Sequence, residues 1–324
     1  MASRAERRVS LPLAGPERIA VSDIGELNAL FSDAFTERYR RDGLVGVRVP
    51  PLNPAIWRYA VEGAGVGAML WRDDAGRIAA FNIAHASGAE GWMGPLAVRD
   101  DCQRAGQGKV IVSAGIERLR GAGCRTIGLE TMPRTVDNIG FYAGLGFVPG
   151  HLTVTLTVPA ATASAVHGLF STFGSAARET AIAECADLAN RLAPGSDYTR
   201  EIRLTQELSL GDTLLFRRGD TLVGFSVCHA APLVEGRPRD ELRVLKLVAI
   251  DDAAFAAMLT VLGALARRSA TGSVAIRMQG EHRAAFTQVV AAGGRVRWTD
   301  LRMTLDGYPQ VMPSSGIVLS NWEI

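Results

Sequence analysis

The stretch that decides the fold is Gln103-Arg104-Ala105-Gly106-Gln107-Gly108-Lys109, a polar loop with two glycines. It follows the apolar run 92–98 and precedes a helical pattern that begins at Val110. A strand, a glycine-bearing loop and a helix N-terminus in this order predict an anion site, because the first turn of a helix has unpaired N–H groups and a partial positive charge. Glycines let a bulky phosphate approach that backbone. The loop therefore predicts a phosphate-bearing cofactor.

The spacing of the loop excludes two common nucleotide motifs. The P-loop pattern G-x-x-x-x-G-K-[ST] requires serine or threonine where Val110 stands. The dinucleotide pattern G-x-G-x-x-G requires a glycine where Ile111 stands. The pattern that fits is Q/R-x-x-G-x-G/A, with Gln103, Gly106 and Gly108. Taken alone, two glycines also fit an ordinary turn into a helix.

A second motif follows about thirty residues downstream. The strand pattern 125–131 leads into a short helical segment that carries Tyr142 and ends in Gly146-Phe147. Together the two motifs resemble those of the GNAT N-acetyltransferase superfamily, and the resemblance covers about 19–158. The family often has an asparagine one turn earlier in this helix than Asn138, so Tyr142 is the stronger of the two candidates.

The resemblance implies that the chain binds acetyl-CoA and transfers its acetyl group to the amine of a small-molecule acceptor by direct attack in a ternary complex. The pyrophosphate would lie on the glycine loop, and the pantetheine arm along the strand that ends at Val98. The implied cofactor-binding residues are Leu96, Ala97, Val98, Gln103, Arg104, Ala105, Gly106, Gln107, Gly108, Lys109, Asn138 and Tyr142.

Acetyl transfer also needs proton donors and acceptors. Tyr142 is the candidate general acid for the departing thiolate, and packing in the core is its alternative role. Glu90, just before the central strand, is the candidate general base, and Glu130 is an alternative, although a solvated carboxylate or a structural partner is the alternative role of each. His85 and His151 are further candidates, and a chain of waters is another route for the proton.

The α/β order of predicted elements occurs twice. Three segments of the second half, 214–229, 245–252 and 274–278, echo 69–85, 95–101 and 127–132 of the first. The second copy lacks the glycine loop after Asp251-Asp252 and lacks a tyrosine between Met278 and Gly293. We therefore expect two tandem GNAT-like domains, each with a mixed central sheet flanked by helices. The expected boundaries are a flexible arm at 1–17, a domain with the acetyl-CoA site at 18–159, a linker at 160–177 and a degenerate GNAT-like domain at 178–324.

Composition and charge limit the classes of partner, metal site and compartment that we expect for this protein. The 324 residues are 48% apolar and carry a net charge of only +2, which gives no general attraction to nucleic acid or membrane. The four cysteines are far apart and show no zinc spacing, so we expect free thiols in a reducing compartment and no metal site. The polar segment 1–8 leads into no long apolar run. A cytoplasmic protein is therefore expected.

Two functions remain open. The first is the N-acetyltransferase described above, and the second is a non-catalytic acyl-CoA-binding or interaction protein that keeps the GNAT fold. The intact loop and Tyr142 favour the enzyme. The acceptor would meet the acetyl group near segment 43–54, where Arg48, Trp57 and Tyr59 are candidate lining residues, although Trp57 equally fits the core.

Overall fold

A computed structural model describes residues 13–103, 106–161 and 166–324 of the chain. The first half folds in the order β1 (Ala14–Arg18), α1 (Ile24–Arg41), α2 (Pro54–Ala64), β2 (Ala68–Arg72), β3 (Ile78–Ser87), β4 (Glu90–Val98), α3 (Gln107–Gly121), β5 (Thr126–Thr131), α4 (Val136–Ala143) and β6 (Phe147–Pro159). The second half folds in the order α5 (Ser175–Leu192), α6 (Thr199–Glu207), β7 (Gly211–Arg218), β8 (Thr221–His229), β9 (Glu241–Ala249), α7 (Asp252–Arg268), β10 (Ser273–Gln279), α8 (Arg283–Ala291), β11 (Arg295–Leu305) and β12 (Ile317–Ser320). The predicted repeat of α/β order is confirmed, since from α1 to β6 and from α5 to β11 the same succession of elements occurs.

Local sequence signals explain how the first two helices begin. Asn53-Pro54 in the sequence predicts the N-cap and first-turn proline of α2. The side chain of Asn53 accepts a hydrogen bond from the N–H of Ala55 at 3.0 Å, which confirms this N-cap. Asp23 and Glu26 in the sequence predict a capping box at the start of α1, but in the structure both carboxylates have other partners. The carboxylate of Asp23 accepts from the N–H of Ala20 at 2.8 Å, and Glu26 accepts from the backbone of β3. These bonds fasten the start of α1 to its surroundings instead of closing its own first turn.

All the strands belong to one 12-stranded sheet in the order β1-β2-β3-β4-β5-β11-β6-β10-β9-β8-β7, with β12 paired to β9. The antiparallel pair of β6 and β11 lies at its centre, with Phe147 opposite Leu305 and Thr157 opposite Arg295. On either side of this pair, β11 is bonded to β5 of the first half and β6 to β10 of the second. The last strand of each repeat is therefore exchanged into the other half.

The exchange is also visible in the packing. Leu156 and Val158 of β6 are buried in the core of the second half, and Met303 and Leu305 of β11 are buried in the core of the first. The prediction that strand 152–158 completes the first unit is therefore wrong. The strand exists, but its side chains serve the opposite core, because alternate residues of an exchanged strand face the layer that receives it.

Parts of the predicted arm and of the predicted linker form regular secondary structure. Residues 14–18 of the chain form β1, which pairs antiparallel with β2, and residues 1–12 lie outside the described part. Helix α5 begins at Ser175, inside the predicted linker, of which residues 162–165 lie outside the described part. The domain boundaries themselves stay a prediction, because the exchanged strands join both halves in one sheet.

A gap opens between two parallel strands of the first half. Strands β4 and β5 are paired from Glu90–Thr126 to Met93–Leu129, after which both strands continue but diverge. On its other side, β4 shifts register against β3 between Met93 and Leu96, so β4 has one extra residue at Gly94-Pro95. A bulge of this kind bends the strand that carries it, and the bend turns the end of β4 away from β5.

The corresponding gap of the second half is filled by the chain itself. Strands β9 and β10 are paired from Glu241–Ser273 to Val244–Ile276 and then separate in the same way. Here β12 lies against the free edge of β9, with Lys246 opposite Ser320 and Ala249 opposite Ile317. At the end of β9, backbone groups equivalent to those that face the gap at the end of β4 are thus hydrogen-bonded to β12.

Because β6 and β11 each pair with the opposite half, we expect the whole chain to unfold as one cooperative unit. Scanning calorimetry should show a single transition whose calorimetric and van't Hoff enthalpies agree. As a control, a chain cut by a protease between residues 161 and 166 should still elute as an intact particle. Two separate transitions, or separation of the cut halves without denaturant, would contradict the exchanged sheet.

Candidate functional site

A cavity of about 740 Å³ lies at the gap between β4 and β5. The first half contributes α1, the ends of β4 and β5, the glycine loop and α4. The second half also reaches the cavity, through Leu233, Val234, Trp298, Asp300, Trp322, Glu323 and Ile324. Both repeats therefore build one site.

The glycine loop ends in a helix start that is suited to an anion. Gly106 is the N-cap of α3 and has a φ of +80°, a left-handed conformation that favours glycine. The first helical bonds are donated by the N–H groups of Lys109 and Val110 to the carbonyl of Gly106. The N–H groups of Gln107 and Gly108 precede those bonds and bond to no acceptor among the described residues, as is typical of the first turn of a helix.

Most of the residues expected to hold the cofactor surround this cavity. Those that line it are Leu96, Ala97, Val98, Gln103, Gly106, Gly108, Lys109, Asn138 and Tyr142. The side chain of Gln107 is buried and is not part of the lining, so only its backbone is suited to a ligand. Arg104 and Ala105 lie outside the described residues.

Gln103 has a more specific place than the motif alone indicates. Its side-chain amide donates to the carbonyl of Val98 at 2.9 Å and accepts from Nη1 of Arg41 at 3.2 Å. It therefore ties the loop to the end of β4 and to α1. Its side chain positions the loop, and the backbone of the loop is left to meet a ligand.

Tyr142 combines burial with access to the cavity. Its side chain is only 7% exposed and packs against the rings of Phe141 and Phe147, with centroids 5.2 and 6.0 Å away. Burial raises the pKa of Tyr142 to about 12. The phenol therefore keeps its proton at neutral pH, which is the state that a proton donor needs.

Glu90 lies away from the cavity lining. One carboxylate oxygen accepts from the hydroxyl of Ser320 at 2.6 Å, and the other accepts from the indole N–H of Trp322 at 2.9 Å. Both acceptors are thus engaged by the segment that follows β11. The structure places Glu90 as an anchor for this segment.

The two candidate histidines are also not placed to act as bases in the cavity. His85 is stacked on Trp92, and its Nε2 lies 3.1 Å from the carbonyl oxygen of Gly94. Burial, together with the charge of Lys246, lowers the pKa of His85 to about 3. His151 is exposed on the surface, 3.6 Å from Glu281.

The three residues expected to line the acceptor region do not line this cavity. Arg48 is exposed and paired with Asp33. Trp57 is completely buried and donates to Asn28 at 2.8 Å, so its core alternative is the one that the structure shows. Tyr59 packs edge-on against a histidine of β8, at a contact between the two halves.

The structure reveals a carboxylate cluster that the sequence does not. Glu130 of β5, Asp300 of β11 and Glu323 all line the cavity, and Arg277 of β10 binds all three. Arg277 lies 2.5 Å from Glu130, 3.1 Å from Asp300 and 3.0 Å from Glu323. A second arginine, Arg302, lies 2.8 Å from Glu130. The strand exchange brings these residues together from distant parts of the chain, so no local sequence motif predicts the cluster.

The pKa values within this cluster diverge. Burial opposes ionisation of Glu130, but the charges of Arg302 and Arg277 outweigh it and lower its pKa from 4.5 to about 2. Burial raises the pKa of Asp300. Burial, together with the charges of Asp300 and Glu130, raises the pKa of Glu323 from 4.5 to about 7 against the attraction of Arg277. About half of the Glu323 side chain is accessible, and it lines the cavity.

The helix that corresponds to α3 in the second half is closed to an anion. The N-cap of α7 is Asp251, whose carboxylate accepts from the N–H of Ala254 at 2.6 Å and is paired with Arg218. The helix N-terminus therefore already holds a negative charge. Two features of the second repeat thus agree with the predicted loss of its cofactor site: the aspartate at the start of α7 and β12 in the gap.

Two further observations concern the described parts of the chain only. They contain no group of three or more histidine, cysteine, aspartate or glutamate side chains placed to hold a metal ion. No helix in the same residue ranges is both long enough and apolar enough to span a membrane.

Comparison with known proteins agrees with this architecture. Residues 29–147 match the model of the acetyltransferase (GNAT) family. No curated protein matches the chain by sequence. The chain does resemble several solved structures. A proposed acetyltransferase from Pyrococcus horikoshii superposes with a TM-score of 0.68 at 15% identity over 99% of both chains.

Two other solved structures have similar scores. A GCN5-related N-acetyltransferase from Sphaerobacter thermophilus gives a TM-score of 0.59 at 15% identity, covering 93% of this chain and 98% of its own. A tandem GNAT protein from the clavulanic acid biosynthesis pathway gives 0.59 at 14% identity, covering 92% of this chain and 100% of its own. At these identities the likeness shows the fold, and it confirms the predicted tandem GNAT architecture.

Replacing Glu130 with glutamine should reveal the ion-pair cluster through its pH dependence. The folded pKa of Glu130 is about 2, below its usual value of 4.5, so its charge stabilises the fold above that usual value and loses this effect as the pH falls toward about 2. We expect Glu130→Gln to lower the free energy of unfolding by about 3 kcal/mol at neutral pH, and by much less near pH 2.

Urea denaturation at a series of pH values measures this difference. Glu184→Gln is the matched control, because it removes the same charge from a partly exposed pair with Arg217. The control should change the free energy of unfolding by less than about 1 kcal/mol. Equal stability of Glu130→Gln and the unmodified protein at neutral pH would contradict the assigned role of the cluster.

Proposed function

We propose that this protein, whose residues 29–147 match the model of the acetyltransferase (GNAT) family, transfers the acetyl group of acetyl-CoA to the amine of a small-molecule acceptor in a ternary complex. One observation carries the proposal. The helix N-terminus of the glycine loop, the open edge of β4 and Tyr142 all border the same cavity of about 740 Å³. That volume lies in the range of small-molecule sites and leaves space for an acceptor beside the pantetheine arm.

The residues of the first half fit the cofactor in charge and shape. The N–H groups of Gln107 and Gly108 in the first turn of α3 would bind the pyrophosphate, and the exposed ammonium of Lys109 would add positive charge. The diverging backbone of 96–98 offers hydrogen-bonding groups to the amides of the pantetheine arm. Asn138, one turn before Tyr142 on α4, faces the same space.

Acetyl-CoA supplies a thioester whose carbonyl carbon is open to attack by a neutral amine. As the C–N bond forms and the C–S bond breaks, the amine loses a proton and the sulfur gains one. Tyr142 would donate the proton to the sulfur, because its high pKa keeps it protonated until a basic thiolate develops beside it. The phenol would then recover a proton from solvent. Glu90 is not proposed as the base, because Ser320 and Trp322 occupy both of its oxygens.

We also place this reaction in the cytoplasm. The four cysteines, Cys102, Cys124, Cys185 and Cys228, are free and buried. Free thiols are typical of a reducing compartment, where disulfides are rare.

Titration with acetyl-CoA in a calorimeter tests the cofactor. We expect one site per chain, with micromolar affinity. Gly108→Glu should abolish binding, because its Cβ would come 3.2 Å from Phe141 and its carboxylate would compete at the helix N-terminus.

Ala253→Glu is the matched control, since it places the same side chain at the second residue of α7 in the closed repeat, where it is exposed. It should leave both stoichiometry and affinity unchanged. Two sites per chain would overturn the closure of the second repeat, and absence of binding would overturn the proposed function.

Tyr142→Phe separates an enzyme from a protein that only binds acyl-CoA. It removes one hydroxyl and keeps the ring packing, so we expect the affinity for acetyl-CoA to stay within about twofold and kcat to fall by about 10²–10⁴. Release of the CoA thiol reports kcat, and calorimetry reports affinity. Turnover that is unchanged would refute the role of Tyr142. No turnover in the unmodified protein with any amine, despite binding of acetyl-CoA, would favour the non-catalytic alternative.

A further inference from the structure

One part of the cavity is both acidic and aromatic. The rings of Tyr39 on α1 and Trp298 on β11 face this space with centroids 6.3 Å apart and planes tilted by 31°. The indole N–H of Trp298 lies 3.3 Å from Oδ1 of Asp300. Glu323 lines the same space. Burial, together with the charges of Glu323 and Asp300, raises the pKa of Tyr39. An aromatic pair thus borders two carboxylates.

In this part of the cavity the lining charges are carboxylates. Glu130, Asp300 and Glu323 line the cavity, whereas Arg277, Arg302 and Arg243, which interact with them, are not among its lining residues. Arg277 and Arg302 are almost completely buried and already donate to these carboxylates or to the backbone. An incoming anion would have to displace an existing partner, whereas an incoming cation would meet carboxylate oxygens first.

The other cations of the cavity lie on different elements. Arg41 of α1 bonds to Gln103 in the glycine loop, and Lys109 lies in the first turn of α3. Arg38 is paired with Asp42 at the end of α1. Positive charge therefore accompanies the loop assigned to the pyrophosphate, and the acidic part is left for the other substrate.

We propose that the space between Tyr39, Trp298 and the two carboxylates is the acceptor subsite, and that it takes a cationic amine on an aromatic body in preference to the corresponding amino acid. This inference rests on the acetyl transfer proposed above. The ammonium group binds between Asp300 and Glu323, and the aromatic body lies against the rings, which attract both apolar groups and cations. An α-carboxylate next to the amine meets like charges and is rejected.

Glu323 then accepts a proton from the ammonium group. The nitrogen is left neutral, and its lone pair attacks the thioester carbonyl. As the C–S bond breaks, Tyr142 protonates the sulfur, the nitrogen loses its second proton to water, and the phenolate is reprotonated from solvent. The charged and titratable groups around Glu323 are Arg277 on β10, Asp300 on β11, Glu130 on β5, Arg243 on β9 and Tyr39 on α1. A carboxyl pKa of about 7 suits this role, because the group accepts a proton readily and releases it again near neutral pH.

Matched pairs of compounds test the charge selection. Phenethylamine and phenylalanine, and tryptamine and tryptophan, differ only by the α-carboxylate. With saturating acetyl-CoA, we expect kcat/KM to favour each amine by at least about tenfold, as like charges a few ångströms apart predict. Quenching of tryptophan fluorescence in the presence of CoA should show the same order of affinity without any reaction.

Variants assign the effect to these carboxylates. Asp300→Asn keeps the size of the side chain and should reduce the preference for amine over amino acid to about threefold or less in both readouts. Glu323→Gln should do the same. It should also remove the decline in kcat/KM that we expect of the unmodified protein as the pH falls below about 7. Glu184→Gln, far from the cavity on α5, is the matched control and should change neither.

The outcomes distinguish this inference from the proposed function. If acetyl-CoA binds but the amino acids match or exceed the amines, the acceptor subsite is refuted while acetyl transfer stands. Normal folding of both variants with an unchanged preference also refutes it. If acetyl-CoA does not bind, the proposed function fails, and the fluorescence titrations still test the amine subsite without cofactor.

Discussion

The architecture depends on the central antiparallel pairing of β6 with β11. Each strand pairs with the sheet of the opposite half and gives apolar side chains to the opposite core, Leu156 and Val158 from β6 and Met303 and Leu305 from β11. This pairing fixes where one repeat lies relative to the other. It therefore also determines which side chains of the second repeat reach the cavity of the first, and the site could not be assembled from two independently folded domains.

The two repeats show how one fold supports an open cleft and a closed one. In the first repeat a bulge separates the strand ends. A glycine caps the following helix, so no side chain of the N-cap residue bonds to the N–H groups of the first helical turn. In the second, a strand of the same chain occupies the gap and an aspartate caps the helix. The difference lies in which partner satisfies the backbone and not in the order of elements. Equal topology therefore does not imply equal binding capacity.

Features with a local cause were predictable from sequence. The cap at Asn53, the glycine loop and the position of Tyr142 depend on neighbouring residues, and the structure bears out the local geometry of each. The repeat of α/β order was predictable for the same reason. Strand exchange was not, because periodicity predicts that a strand exists and which faces it has, but not which half receives it.

The acidic part of the cavity escaped prediction for this reason. Asp300 and Glu323 are distant in sequence from Glu130, and no spacing rule connects them. The candidate residues near α2 were wrong because the helix turns Trp57 into the core and Tyr59 toward the other half. Glu90 precedes the central strand, as its candidacy as a base required, but Ser320 at the end of β12 and Trp322 just after it bind both of its oxygens.

The segment 317–324 contributes to both clefts at once. Its first part, β12, fills the gap of the second repeat, and its last residues, Trp322 and Glu323, form a wall of the cavity in the first. A ligand could enter the second gap only by evicting β12, and that movement would pull this wall away. An open cleft in the second repeat and an intact cavity in the first therefore exclude each other.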